Sequence, residues 1–145
     1  MALSKPYENY ERPGLVVSYK ISNVKIYKGS LVAVNASGFA VPISHTSAGL
    51  KPVGVANETV DNSAGAAGAK SLNVTKAGAF VYKAASGFVP TQADLGKELY
   101  ALTDWEVQVS TTGLTNQYKV GTIVAIESTS TGQSGVRVRI DNHCV

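Results

Sequence analysis

Gly29-Ser30-Leu31-Val32-Ala33-Val34 and, later in the chain, Gly96-Lys97-Glu98-Leu99-Tyr100-Ala101-Leu102 open two series of short apolar segments that follow the same order of events. The first continues through Asn35–Gly38 to Phe39-Ala40-Val41, then Ser44, Gly49-Leu50 and Val53-Gly54-Val55-Ala56. The second continues through Thr103-Asp104 to Trp105-Glu106-Val107, then Ser110, Gly113-Leu114 and Val120-Gly121-Thr122-Ile123-Val124-Ala125. Each then crosses a polar, Gly-containing turn (Asp61–Gly68 or Ser128–Gly135) into an alternating run, Leu72-Asn73-Val74 or Val136-Arg137-Val138. A repeated order of β-type segments predicts a structural duplication, residues 29–76 matching 96–140. Two similar four-strand units closing around one core would form a small β-barrel or β-sandwich.

Strand signals dominate outside the repeat as well, because apolar alternations are cut again and again by Gly, Asn and Ser/Thr clusters. The expected strands are 15–19, 31–34, 39–41, 53–56, 72–75, 80–83, 99–102, 107–109, 120–126 and 136–140. Only Thr91-Gln92-Ala93-Asp94-Leu95, after Pro90 and before Gly96, reads as a helical turn. The fold class is therefore all-β. In the last strand Val136, Val138 and Ile140 alternate with Arg137 and Arg139, which sets three β-branched residues inward and two guanidinium groups outward.

Residues 1–14 lack this periodicity. They hold Pro6 and Pro13 around Lys5, Tyr7, Tyr10 and Arg12, and read as an extended arm attached to a single β domain over 15–145. Prolines restrict the free chain, and Tyr and Arg are favoured at interfaces, so this arm is expected to bind a neighbouring subunit or a larger assembly. Lys5, Tyr7, Tyr10, Arg12, Arg137 and Arg139 are the expected interface residues.

Composition narrows the function. The 145 residues carry 13 Lys plus Arg against 10 Asp plus Glu, and charged residues are only 16% of the chain. That is well below the usual quarter, so the surface is rich in uncharged polar groups and suited to packing against other proteins rather than wrapping nucleic acid. No cluster of three or more Lys/Arg is present, and no specific nucleic-acid partner is expected. One cysteine, Cys144, excludes an intrachain disulfide and a thiolate zinc site, consistent with a reducing compartment. The first residues are too polar for a signal peptide, and no apolar run approaches the roughly 20 residues that span a bilayer as a helix.

Catalytic constellations are sparse. His45 lies in a Ser/Thr loop, and His143 beside Cys144 lacks a third group to orient a nucleophilic pair. Glu58 and Asp61 read as turn and strand-end residues with no facing acidic pair. Gly65-Ala66-Ala67-Gly68-Ala69-Lys70-Ser71 fails as a phosphate loop, since Ala69 separates Gly68 from Lys70 and a strand rather than a helix follows. No enzymatic activity, cofactor or metal is expected.

Beyond these readings, Gly29–Val41, Gly49-Leu50-Lys51-Pro52-Val53-Gly54-Val55-Ala56, the Gly/Ala-rich stretch Glu58–Lys70, Thr91-Gln92-Ala93-Asp94-Leu95-Gly96-Lys97-Glu98-Leu99-Tyr100 and Val136–Ile140 resemble the small capsid cement or decoration proteins of tailed bacteriophages. The resemblance spans about residues 25 to 140 and implies a non-enzymatic β-rich protein, synthesised in the host cytoplasm, that sits on the outer capsid surface of the virion. It would bind the major capsid protein lattice, stabilise the expanded head and associate with itself as a dimer or trimer. A contrasting expectation from the residues is a β-barrel binding module for oligonucleotides or glycans, using Arg137, Arg139, Trp105 and surface tyrosines in an exposed aromatic groove.

On either reading, His45→Ala, His143→Ala and Cys144→Ala are expected to leave binding intact, because contact area rather than turnover carries the function. Binding assays beside thermal melts check this, and a Cys144→Ala protein that stays folded yet loses its partner contradicts it.

Overall fold

A computed structural model describes residues 14–140. Lys5, Tyr7, Tyr10, Arg12, His143 and Cys144 lie outside the described residues. The chain is nearly all β, as its alternations predict. The first half contains β1 (Val16–Lys20), β2 (Lys25–Ile26), β3 (Leu31–Val34), β4 (Ala40–Pro42), β5 (Lys51–Ala56), β6 (Val60–Asp61) and β7 (Ser71–Thr75). The second contains β8 (Ala79–Ala84), a 3-10 turn (Gln92–Asp94), β9 (Glu98–Ala101), β10 (Glu106–Gln108), β11 (Lys119–Ser128) and β12 (Ser134–Arg139).

Strand order makes the duplication visible. The first sheet runs β1-β7-β5-β3-β4, and the second runs β8-β12-β11-β9-β10 with β10 closing back onto β8 as a barrel. Closure uses a parallel pairing of Val107 with Ala84. The first sheet closes at the corresponding place through a single parallel bridge between Ile21 and Ala40. Individual hydrogen bonds repeat as well: Gly29 N–H donates to Ala56 O and Gly96 N–H to Ile123 O, both at 2.9 Å. Ala56 N–H returns to Ser30 O at 2.9 Å, and Ile123 N–H to Lys97 O at 3.0 Å.

Two expectations require correction. The repeated sheet has five strands in each unit, because β1 and β8 are also equivalent: Tyr19 pairs with Leu72 as Tyr82 pairs with Val136. The buried residues also form two cores rather than one, the second of them drawing on both units. Ile21, Ile26, Val32, Ala40, Val53, Ala56, Leu72 and Val74 fill the first barrel. Leu99, Ala101, Val107, Val120, Ile123, Val136 and Val138 fill the second.

The second cluster extends outward to take in Leu31, Ala33, Ile43, Leu50 and Val55 of the first unit. β3 is thus buried on both faces, Val32 toward its own barrel and its neighbours toward the other, which is why Leu31–Val34 reads as a continuous apolar run. At roughly 1.5–3 kcal/mol for each fully buried large aliphatic side chain, Leu31, Ile43, Leu50 and Val55 together couple the units by several kcal/mol. Main-chain bonds reinforce the seam, Leu31 N–H to Asp104 O at 2.7 Å and His45 N–H to Leu102 O at 3.2 Å.

The short β2–β6 ladder, Lys25 opposite Asp61 and Ile26 opposite Val60, belongs to the first unit alone. Its two-residue strands are too short for alternation to reveal. Asn62 holds the following loop from inside, its Nδ2 donating to Ser22 O and Ala66 O, each at 2.9 Å. The loop Gly65–Lys70 therefore closes onto the end of β1, with Gly68 N–H bonded to Ile21 O at 2.8 Å, and leads straight into β7.

Glycine is required at the same place in both barrels. A Cβ on Gly54 would lie 2.3 Å from Thr75 O and 2.8 Å from a Val74 methyl. One on Gly121 would lie 2.2 Å from Arg139 O and 2.7 Å from a Val138 methyl. Backbone cannot yield as a flexible side chain does, so Gly54→Ala and Gly121→Ala are each expected to lose about 3 kcal/mol, the upper range for overpacking. Gly87→Ala meets only open space and pays for its positive φ, roughly 1–2 kcal/mol. Denaturant melts of the three variants check the order, and near-neutral substitutions at Gly54 or Gly121 contradict it.

Candidate interaction surface

The outward face of the second barrel is built by β8, β12 and β11. Pairing places Arg137 beside Val81 and Arg139 beside Ala79, so alternation sends the arginines outward while Val136 and Val138 go in. Both are exposed, as expected from the sequence. Arg137 Nε donates to Glu127 Oε2 at 3.2 Å, and its Nη2 meets the other oxygen of the same carboxylate. The two-point contact fixes the guanidinium plane. With Ala77, Gly78, Ala79 and the exposed Val124, the two arginines line a shallow groove.

A second depression lies at the junction of the units. Tyr27, Lys28, Gly29 and Ser30 contribute from the first, and Val81, Tyr82, Asp104 and Trp105 from the second. Trp105 remains 47% exposed and Tyr27 57% exposed, while Val81 is also exposed. Tyr82 anchors the junction by donating its hydroxyl to Gly29 O at 2.8 Å. Lys83 Nζ sits 4.8 Å from the centre of the Trp105 ring and 3.2 Å from Glu106 Oε2. Lys25 Nζ sits 4.8 Å from the centre of the Tyr27 ring. Each ring thus has one face covered by a cation, which holds it in place.

Sequence reasoning singled out Trp105 only in the contrasting expectation and did not find Tyr27 or Val81. Tyr27 and Trp105 are brought together by the packing of one unit on the other, and no local spacing signals it. The arginines were legible because a strand's period of two alone decides which way they face.

The remaining polar candidates are occupied in holding the fold. His45 Nδ1 accepts from Thr115 N–H at 3.2 Å, and Asn116 Nδ2 donates to His45 O at 2.8 Å, tying the loop after β4 to the loop after β10. Tyr118 reinforces the tie, donating to Ser47 O and accepting from Leu50 N–H. Glu58 Oε1 accepts from Asn73 N–H at 3.0 Å. Among the described residues, no three of His, Cys, Asp and Glu gather where they would hold one metal ion.

Two carboxylates are perturbed. Hydrogen bonds from the Ser63 hydroxyl and N–H hold Asp61 below the ordinary carboxylate range. Lys97 Nζ at 2.8 Å and Thr91 N–H at 2.8 Å do the same for Asp94, which pins the 3-10 turn ahead of β9. No protein-family model, curated protein or solved structure matches the chain.

A carboxyl with a lowered folded pKa contributes stability that is complete above its unfolded value near 4 and disappears as pH falls through the folded value. Asp94→Asn is therefore expected to melt below the parent protein at pH 7, the gap closing as pH falls below about 4. Melting curves across that range check this, and a gap that widens in acid contradicts it.

Proposed function

We propose that the protein is a capsid cement, seated on the outside of a tailed-phage head, where it holds neighbouring major capsid subunits together by contact rather than by turnover. The observation that carries the reading is the surface of the junction and second barrel: Tyr27, Val81, Trp105 and Val124 exposed beside Arg137 and Arg139. Trp, Tyr and Arg are the residue types that dominate protein–protein hot spots, and a shallow patch suits a broad partner better than a small substrate. The resemblance of residues 25–140 to decoration proteins points the same way. Low charge density supports it too, since copies crowded on one lattice repel one another weakly.

Many identical copies on a symmetric shell multiply a modest contact energy. If copies are also linked to each other, release of one contact leaves the others to hold it, so retention exceeds what one interface supplies. The virion surface is then the site of action, the major capsid protein the partner, and homo-oligomerisation a source of avidity.

The aromatic depression gives the binding-module reading its one specific observation, two exposed rings in one hollow. Lys83 and Lys25 cover one face of each, which leaves less ring for stacking. An oligonucleotide titration at physiological salt separates the readings: saturable, sequence-selective binding supports the module, and its absence supports the cement.

Sedimentation with empty expanded tailed-phage heads tests the primary reading. Trp105→Ala and Tyr27→Ala proteins are expected to melt near the parent temperature while losing about thirtyfold in retention, equivalent to about 2 kcal/mol at a hot spot. Unchanged retention by both variants contradicts the placement of the interface.

A further inference from the structure

The two barrels differ at their seams. In the second, Glu106 pairs with Lys83 and Val107 with Ala84, and the ladder includes Lys83 N–H to Trp105 O at 3.2 Å and Ala85 N–H to Val107 O at 2.9 Å. In the first, a single bridge, Ile21 with Ala40, closes the seam, with Ser22 N–H donating to Ala40 O at 3.0 Å. Below that bridge β1 and β4 do not pair among the described residues. The direction of β1's main-chain groups follows from its other bonds: Leu15 O accepts from Lys76 N–H at 2.7 Å, and Ile21 both donates to Lys70 O and accepts from Gly68 N–H. Odd positions therefore face β7, and the N–H and C=O groups of Val16, Ser18 and Lys20 face away from it. Among the described residues no main-chain group pairs with those of Val16 and Ser18, while the Lys20 carbonyl takes part in the Ile21–Ala40 bridge.

This free edge is apolar. Leu15 is 69% exposed and Val16 45% exposed. Val17 and Tyr19, which alternate toward the first barrel, are only half-buried, whereas Tyr82 at the position equivalent to Tyr19 is 5% exposed. An uncapped edge beside an uncovered flank of core is a template for strand addition.

We propose that residues 7–12 of a second copy of this chain add as a strand to the β1 edge, linking copies by their N-terminal segments. Tyr7-Glu8-Asn9-Tyr10-Glu11-Arg12 is bounded by Pro6 and Pro13, which end a strand, and its six residues are enough to span the five of β1. Glu8 and Glu11 complement Lys20 on the edge. Thirteen residues precede Gly14 and reach about 45 Å when extended, more than the roughly 40 Å across a body of this size. The chain's own segment is disfavoured: a two-residue reversal at Pro13-Gly14 needs the main chain of Leu15 to face the free edge, and it faces β7. This inference goes beyond the capsid reading and does not depend on it, since it concerns the protein alone.

Amide exchange and solution mass of the purified full chain test it. In the associated protein the N–H groups of Val16, Ser18 and Lys20 are expected to exchange at least tenfold more slowly than in a protein lacking residues 1–12, and a synthetic peptide of residues 1–13 restores the protection. Ser18→Pro removes an edge donor while sparing the β7 ladder, and is expected to lower the associated mass to that of the monomer. Should that proline unfold the chain, Ser18→Lys beside Lys20 provides a folded variant, and it too is expected to weaken association. Equal exchange at the three amides in full-length and truncated protein overturns the proposal. Protection that persists in a full-length monomer at every concentration also overturns it, since the chain's own segment then fills the edge.

Discussion

Burial of β3 on both faces is the constraint from which the rest of the molecule follows. A strand in a lone five-stranded barrel needs one apolar face; Leu31–Val34 has two, with Val32 committed to its own barrel and Leu31 and Ala33 to the neighbouring one. Where the equivalent of Leu31 is Glu98, the second barrel presents a solvated outer face with Lys119 beside it instead. The duplication is thereby asymmetric in the one respect that matters for function. One unit uses its outer face to hold the other, and the other keeps an outer face for something else.

That asymmetry places the exposed aromatics. Tyr27 enters from the segment leading to β3, and Trp105 from the turn between β9 and β10, whose Asp104 carbonyl receives the Leu31 N–H. The same seam that joins the cores therefore sets the two rings in one hollow. Lys25 and Lys83 steady them, and the arginines of β12 extend the surface along the second barrel. A rigid scaffold carrying Trp, Tyr and Arg at modest exposure is economical for docking, because little side-chain freedom remains to be lost on contact.

Much of this was legible in the sequence where the determinant was local. Ten strands followed from alternation, the helical turn from Thr91 and Asp94, and the outward arginines from the period of β12. The repeat was readable because Gly29 and Gly96, and Gly54 and Gly121, occupy matching positions, the latter pair where backbone comes too close for a side chain. What was hidden is non-local. Nothing in Leu31, Ile43 and Leu50 announces that they belong to the second core, and β2 and β6 are too short to show a period. His45 reads as an ordinary loop residue, and its ties to Thr115 and Asn116 arise only from the apposition of the two units. The equivalence of β1 with β8 was missed for a related reason: Val16–Lys20 alternates with half-buried rather than buried residues, since its barrel is incompletely closed there.

The proposed cement role requires a defined count of copies on the lattice. Quantifying bound protein against major capsid protein on empty expanded tailed-phage heads, over a range of added protein, measures that count directly. The account predicts saturation at a fixed ratio of small whole numbers, with the bound heads surviving heating or dilution that opens bare ones. Binding that never saturates, or saturated heads no more durable than bare ones, would contradict it.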